Sequence, residues 1–215
     1  MSKQMILRHS GPSPFCRKVD IVAKHHGLDG LITAQDVDMN DEGETLRLQN
    51  PLGKIPALIL DNGQNIYDSQ VIVEFFDDIG AGAAVMPTGE GRIEKLTQYA
   101  LANGMTEASL LVVYEGRMRP DDKYYQGFVD YQLSKIGRGL ERLASDLPSL
   151  ERLDIANITT AVMLEYMDLR INDDFKNGTE LGGNKGIWRD SHVGLADWLS
   201  EFEKLCPYFG ETRPY

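Results

Sequence analysis

The sequence predicts an α/β domain, with elements in the order β-α-β-α-β-β-α, followed by an all-α helical bundle domain. Three observations predict it. Short apolar runs alternate with helically spaced apolar residues up to about residue 80, and the last two strands form a hairpin through Asp61-Asn62-Gly63. A small-residue stretch, Gly80-Ala81-Gly82-Ala83-Ala84, then breaks the pattern. Beyond it come four apolar stripes at helical spacing and no comparable strand signal. The expected organisation is residues 1–80 for the first domain, 81–90 for the linker and 91–215 for the helical domain.

Each element has its own warrant. Met5 to His9 reads as a strand, and Pro14 to His26 as a helix closed by Gly27. Leu31 to Val37 is a second strand and Glu42 to Gln49 a short polar helix. Ala57 to Leu60 and Asn65 to Tyr67 are the arms of the hairpin. A helix from Ser69 carries Ile72, Phe75, Phe76 and Ile79 on one face. In the second domain the first stripe is Ile93, Leu96, Ala100, Gly104, Ala108 and Leu111. The second is Val129, Leu133, Ile136, Leu140, Leu143 and Leu147; the third Ile155, Ile158, Val162 and Leu169; the fourth Leu195, Trp198, Phe202 and Leu205.

Composition narrows the function. The 215 residues carry 22 Lys and Arg against 33 Asp and Glu, a formal charge of −11 with no basic block, which disfavours a nucleic-acid surface. No apolar run is long enough to span a membrane, so no membrane partner is expected. The N-terminus lacks the pattern of a signal peptide. The two cysteines, Cys16 and Cys206, read as reduced thiols, and together these features predict a cytoplasmic protein. His9, His25, His26 and His192 have no metal-ligand spacing, so no metal is expected; His25-His26 reads as the end of a surface helix.

Three motifs carry the chemistry. Ser13-Pro14-Phe15-Cys16 follows a strand and a turn, Ser10-Gly11-Pro12, and opens a helix. A hydroxyl and a thiol on a first helical turn lie beside free N–H groups and the positive end of the helix dipole, which favour an anion, including a thiolate. Read by itself, the segment is more simply an N-cap with Cys16 as a small buried hydrophobe. The second motif, Asn50-Pro51-Leu52-Gly53-Lys54-Ile55-Pro56-Ala57, sets a proline immediately before a strand. A cis Ile55-Pro56 bond would offer the Ile55 N–H and C=O to an extended peptide, whereas the plainer reading is a loop entering a strand. In the third, Tyr67-Asp68-Ser69-Gln70, Ser69 is the expected N-cap of the next helix, whose end could take a ligand carboxylate while Asp68 accepts from a ligand ammonium.

Taken together, the three motifs resemble the glutathione site of cytosolic glutathione transferases on a thioredoxin-like domain. Ser13-Pro14-Phe15-Cys16 is similar to the Cys-Pro-x-Cys site of glutaredoxins with Ser in place of the first Cys, as in bacterial-like, serine-type members. Asp154-Ile155-Ala156-Asn157 resembles the family's capping box in the central helix of the bundle, with Asp and Asn replacing the usual residues. The resemblance implies an enzyme with glutathione as co-substrate, detoxifying small hydrophobic electrophiles as a homodimer. Ser13 would donate a hydrogen bond to the glutathione sulfur, with Ser10 as the rival donor. Ile55, held by Pro56, would pair with the cysteinyl backbone. Asp68 and Ser69 would hold the γ-glutamyl end, and Lys54 would balance a carboxylate or remain a solvated loop lysine. The alternatives are a non-catalytic glutathione- or ligand-binding protein and a thiol reductase or peroxidase using Cys16. Cys16 is expected to be structural, and Arg17 exposed. Tyr99, Met105, Ser109, Tyr114 and Tyr166 are candidate walls for the second substrate.

Overall fold

Strand β1 (Met5–His9) is the centre from which the first unit is built. In the computed structural model, which describes residues 4–38, 41, 43–171 and 188–214, it lies between two neighbours in a four-stranded sheet of order β2-β1-β3-β4. Strand β2 (Ile32–Asp36) runs parallel to it, reached through helix α1 (Pro14–His25). Strand β3 (Ala57–Ile59) runs antiparallel to β1, and β4 (Asn65–Ile66) antiparallel to β3 across the hairpin turn. Helix α2 (Leu46–Gln49) precedes β3, and α3 (Ser69–Ile79) follows β4. The expected β-α-β-α-β-β-α order is present, and helices α1 and α3 pack against each other.

The departures from expectation have local causes. The polar helix starts at Leu46 because the Glu44 carboxylate accepts the Leu46 N–H at 2.7 Å and occupies the helix start; Glu42 lies outside the described residues. Arg8, buried in β1, fixes this segment: Nη2 pairs with Glu44 and Nη1 donates to Thr45 Oγ1 (3.1 Å) and Gln49 Oε1 (2.7 Å). On α3 the buried face is Ile72, Val73 and Phe76, while Ile79 is 47% exposed. His25-His26 does end the helix, with His26 as its C-cap, but not at the surface. His26 is buried, and its Nε2 bonds Asp77 Oδ1 at 2.8 Å. The Asp77 carboxylate also accepts from the N–H groups of Val85 (2.9 Å) and Met86 (2.7 Å). These bonds hold residues 81–87 to the first unit, which by contacts comprises 1–87 and 207–215.

The terminal segment belongs to that unit because Arg17 is a buried clamp, not an exposed side chain. Its Nη2 donates to the Phe209 C=O at 2.8 Å, Nε reaches Thr212 Oγ1 at 3.4 Å, and the guanidinium lies 4.2 Å from the centre of the Phe209 ring on helix α9 (Tyr208–Glu211).

The second unit, 88–206, contains α4 (Arg92–Met118), α5 (Gln126–Ser145), α6 (Ile155–Arg170), α7 (Trp188–Ser191) and α8 (Val193–Leu205). Helix α6 is buried at every position from Ile155 to Met167, as a central helix must be. Its capping box is formed. Asp154 Oδ1 accepts from Ala156 N–H (3.0 Å) and Asn157 N–H (2.9 Å), and Asn157 Oδ1 accepts from Asp154 N–H (3.0 Å). Apart from Ala108, which is buried, the stripe expected on α4 is out of phase with the observed core face. Ile93 is 70% exposed, and the buried face runs through Tyr99, Ala102, Met105, Ser109 and Val112. Thr106 and Ser109 belong to it because their hydroxyls donate to the carbonyls of Ala102 and Met105, each at 2.9 Å. Gly139 on α5 leaves room for Met105, whose sulfur would stand 2.3 Å from a Cβ there. The three other expected stripes are buried except at their last members: Leu147, which lies beyond the end of α5, Leu169 on α6 and Leu205 on α8. Among the described residues no helix is long and apolar enough to cross a membrane.

At the end of β1, His9 Nε2 lies 2.9 Å from Asp20 Oδ2 on α1 and Nδ1 lies 3.7 Å from Asp36 Oδ1. The Asp20 hydrogen bond, aided by Asp36, raises the imidazole pKa above its ordinary value despite burial. A raised folded-state pKa gives stabilisation that is complete below about pH 6.5 and is lost as pH rises through the folded value. The stability difference between the wild-type protein and His9→Gln, measured by urea unfolding, should therefore shrink between about pH 6 and about pH 9. A difference that grows over that range would contradict the assignment.

Candidate active site

Strand pairing decides which loops meet. Arg8 lies opposite Ala57, and Leu58 opposite Ile66. The end of β1, the start of β3 and the end of β4 therefore share one end of the sheet. Chain leaving β1 carries Ser10 and Ser13; chain entering β3 carries Lys54, Ile55 and Pro56; chain leaving β4 carries Asp68 and Ser69. All seven residues expected to bind or react come to this one end.

At the first position Ser13 is the N-cap of α1. Its Oγ accepts the Cys16 N–H at 3.3 Å and its C=O accepts the Arg17 N–H at 3.0 Å. Acting as an acceptor toward the backbone leaves the half-buried Ser13 hydroxyl one proton to donate, with the Cys16 thiol among the groups within its reach. Pro14 has no N–H, so among the described residues the Phe15 N–H is the first donor of the helix without a partner. Sequence reasoning missed this donor, although a proline at the first helical position marks it. Ser10 holds the turn, its C=O accepting the Ser13 N–H at 3.0 Å.

At the second position Asn50 organises the loop. Its Nδ2 donates to the Lys54 C=O (2.7 Å), its Oδ1 accepts from Leu52 N–H (3.1 Å) and its C=O accepts from Gly53 N–H (2.8 Å). Gly53 takes a φ of +59°, the left-handed region that glycine enters without steric cost. The Ile55–Pro56 peptide is cis, and among the described residues the N–H and C=O of Ile55 have no hydrogen-bond partner. The Lys54 side chain is exposed and Pro56 is buried.

At the third position the cap is Asp68, not Ser69. Asp68 Oδ1 accepts the Gln70 N–H at 3.1 Å, and its C=O accepts the Ile72 N–H at 3.0 Å. The shift by one residue leaves Ser69 as the first helical residue, buried, with its N–H and that of Val71 unpartnered among the described residues. Two helix N-termini, of α1 and α3, thus present spare donors at the same end of the sheet.

Other expected site residues lie elsewhere. Tyr99, Met105 and Ser109 belong to the buried core face of α4, whereas Tyr114 is 42% exposed and Tyr166 on α6 is 7% exposed. Cys16 has no exposed surface (0%), and burial pushes its thiol up to about 12, against the pull of Ser13 and Ser10. The reductase alternative therefore lacks an accessible thiolate at this position. Among the described residues no group of three or more His, Cys, Asp or Glu could hold a metal ion. Iodoacetamide at about pH 8 should leave Cys16 unmodified in the folded protein and alkylate it in denaturant, as read by peptide mass spectrometry. Rapid labelling of Cys16 in the native state would contradict its placement.

Residues 12–79 match the family model for the glutathione S-transferase N-terminal domain. A glutathione transferase family member from Pseudomonas fluorescens Pf-5, solved with bound glutathione, is 34% identical; the match covers 99% of this chain and 100% of that one, with a TM-score of 0.84. A glutathione S-transferase from Methylobacillus flagellatus KT, also solved with glutathione, is 32% identical over 99% of this chain and 100% of its own, again with a TM-score of 0.84. An uncharacterized GST-like protein of Escherichia coli (strain K12), YibF, is 28% identical over 173 residues, 77% of this chain and 83% of its own length. The fold is the thioredoxin-like domain and helical domain of these proteins. At 34% identity to a relative along nearly its entire length, this chain belongs to the glutathione transferase family.

Proposed function

We propose that this protein is a glutathione transferase that binds glutathione across the described end of the sheet and activates its thiol for attack on a small hydrophobic electrophile. The single observation that carries the reading is the convergence of the Ser13 cap, the unpaired Ile55 backbone and the Asp68-Ser69 helix start at one sheet end. From β1 to β4 is two strand spacings, about 10 Å, and a three-residue extended peptide is also about 10 Å long. Similar proteins from P. fluorescens and M. flagellatus hold glutathione.

Each group then has a task. Ile55 pairs with the cysteinyl backbone as an added strand would. The N–H groups at the start of α3 and the Ser69 hydroxyl take the γ-glutamyl carboxylate, and Asp68 accepts from the ammonium through Oδ2, the oxygen left free by its capping bond to Gln70. Lys54 balances the remaining carboxylate. The Ser13 hydroxyl and the Phe15 N–H donate to the sulfur. A free thiol with a pKa of about 8.5 is a minor thiolate fraction near neutrality, and donors beside the helix terminus raise that fraction. Glutathione is the nucleophile: its sulfur forms the new bond to carbon, and the leaving group departs or the adduct is protonated. The same reading implies a cytoplasmic, detoxifying role and a homodimer. Exposed apolar side chains on both units, Leu48, Leu52 and Val71 in the first and Ile93 and Leu111 in the second, support association with a second copy.

Ser13→Ala should lower turnover of chlorodinitrobenzene by about tenfold or more, while Ser13→Thr, which keeps the hydroxyl, retains most of it. Ser10→Ala should change turnover little. Melting temperatures of the variants separate lost chemistry from the lost cap, which costs about 1 kcal/mol. Turnover that survives Ser13→Ala and vanishes in Ser10→Ala would move the donor to Ser10. A wild-type protein that binds glutathione but conjugates no electrophile would be a binding protein.

A further inference from the structure

His9 joins three elements at the sheet end that carries Ser10 and Ser13. It is the last residue of β1, it stands opposite Asp36 in the pairing with β2, and its backbone C=O accepts the Val37 N–H at 3.0 Å. Its half-buried ring has a carboxylate at each nitrogen: Asp20 Oδ2 of α1 lies 2.9 Å from Nε2, and Asp36 Oδ1 of β2 lies 3.7 Å from Nδ1. A neutral imidazole has one N–H and can donate to one carboxylate; an imidazolium serves both.

The charged groups around this ring are unequal in sign. Strand β3, on the other side of β1, brings Ala57, Leu58 and Ile59, none of which titrates. Arg8 is engaged with Glu44, Thr45 and Gln49. On α1 the residues Ser13, Cys16 and Asp20 follow one another at spacings of three and four, so they lie along one side of the helix. Lys24, four residues beyond Asp20, also acts on that carboxylate, but its ammonium is shared with Glu211 at 3.0 Å and Asp29 at 3.8 Å. With His9 protonated, the imidazolium and its two carboxylates leave a single negative charge; with His9 neutral they leave two. Asp36 is exposed, so water screens it, and the half-buried Asp20 is the stronger of the two.

This charge reaches the first turn of α1. Asp20 is about 10 Å from Ser13 along the helix axis. Asp20 and Asp36 both act on the Cys16 thiol, between them and the helix mouth in sequence, and push its pKa upward. The same field opposes any other thiolate beside Ser13, and a positive charge on His9 offsets it.

We propose that His9 is a positioning residue for the glutathione thiolate: as an imidazolium it neutralises Asp20 and Asp36, so that the Ser13 end of α1 can hold a negative sulfur. The proposal deepens the transferase reading above and rests on it. Coupling between the two charges is reciprocal, so a bound thiolate in turn stabilises the His9 imidazolium.

Two titrations of the protein test this. The first follows the ultraviolet absorbance of the bound glutathione thiolate against pH. His9→Gln leaves both carboxylates uncompensated and should raise the bound-thiol pKa by about half a unit, a loss of about threefold in thiolate below that pKa. Its kcat/KM with chlorodinitrobenzene should fall by the same factor at about pH 6.5 and rejoin the wild-type value toward about pH 9.5, where the thiol is ionised in both. Adding Asp20→Asn to His9→Gln removes the surplus charge and should return the thiol pKa to the wild-type value. A purely structural bond would leave the double variant as impaired as His9→Gln. The second titration follows the His9 ring protons by nuclear magnetic resonance. In the wild-type protein His9 should titrate above about 6.5, and higher still with glutathione bound. It needs no variant, so it decides the question even where His9→Gln does not fold. An unmoved thiol pKa in His9→Gln, no recovery in the double variant, or a His9 pKa indifferent to bound glutathione would overturn the proposal. A protein that binds no glutathione while His9 titrates above about 6.5 would sink the transferase reading and leave the imidazolium pair standing.

Discussion

The antiparallel pairing of β1 with β3 is the constraint on which the rest depends. With Arg8 opposite Ala57, the chain that leaves β1 toward α1 emerges beside the chain that enters β3 through Ile55 and Pro56. The hairpin to β4 returns a third segment to the same end, where α3 begins. A slip of one residue would turn every side chain of β3 to the other face of the sheet. Buried polar groups reinforce the register. Arg8 ties β1 to the segment before β3, and Asn50 shapes the loop that follows that segment. Both leave unpaired, costly groups if removed, so the geometry of the sheet end is specified by hydrogen bonds as well as by packing.

The first turn of α1 shows how position decides the fate of a polar atom. Ser13 and Cys16 are three residues apart. Ser13 caps the helix at its half-buried start, with a proton to give. Cys16 faces inward, has no exposed surface, and is held neutral by desolvation. The helix dipole that favours an anion at the helix mouth does not compensate for burial one turn deeper. A thiol chemistry on this scaffold therefore needs a thiol from outside the chain. Arg17 on this helix and His26 at its C-cap keep it in place by binding the C-terminal segment and Asp77.

Much of this was legible in the sequence. The strand and helix order follows from local chemistry, which residue type and spacing report directly; the cis Ile55–Pro56 bond is one of two readings of a proline before a strand, and the Asp154 capping box is implied by the family resemblance. What was not legible depends on partners distant along the chain. Arg17 reads as a surface residue until Phe209 is brought to it, 192 residues later. His26 reads as a surface helix end, and only Asp77, far along the chain, makes it a buried one. The core face of α4 is hidden in the sequence because Thr106 and Ser109 look polar but satisfy their hydroxyls within the helix. The shift of the α3 cap from Ser69 to Asp68 is a contest between two good caps that composition cannot decide.

The central claim is that the end of the sheet makes a bound glutathione thiol more acidic. Its ionisation can be followed directly, by the ultraviolet absorbance of the thiolate during a pH titration of the protein–glutathione complex. The account predicts a bound-thiol pKa at least about one unit below the free value of about 8.5, returning toward the free value in Ser13→Ala. A bound thiol that titrates as it does free in solution, in a protein shown to hold glutathione, would contradict the account.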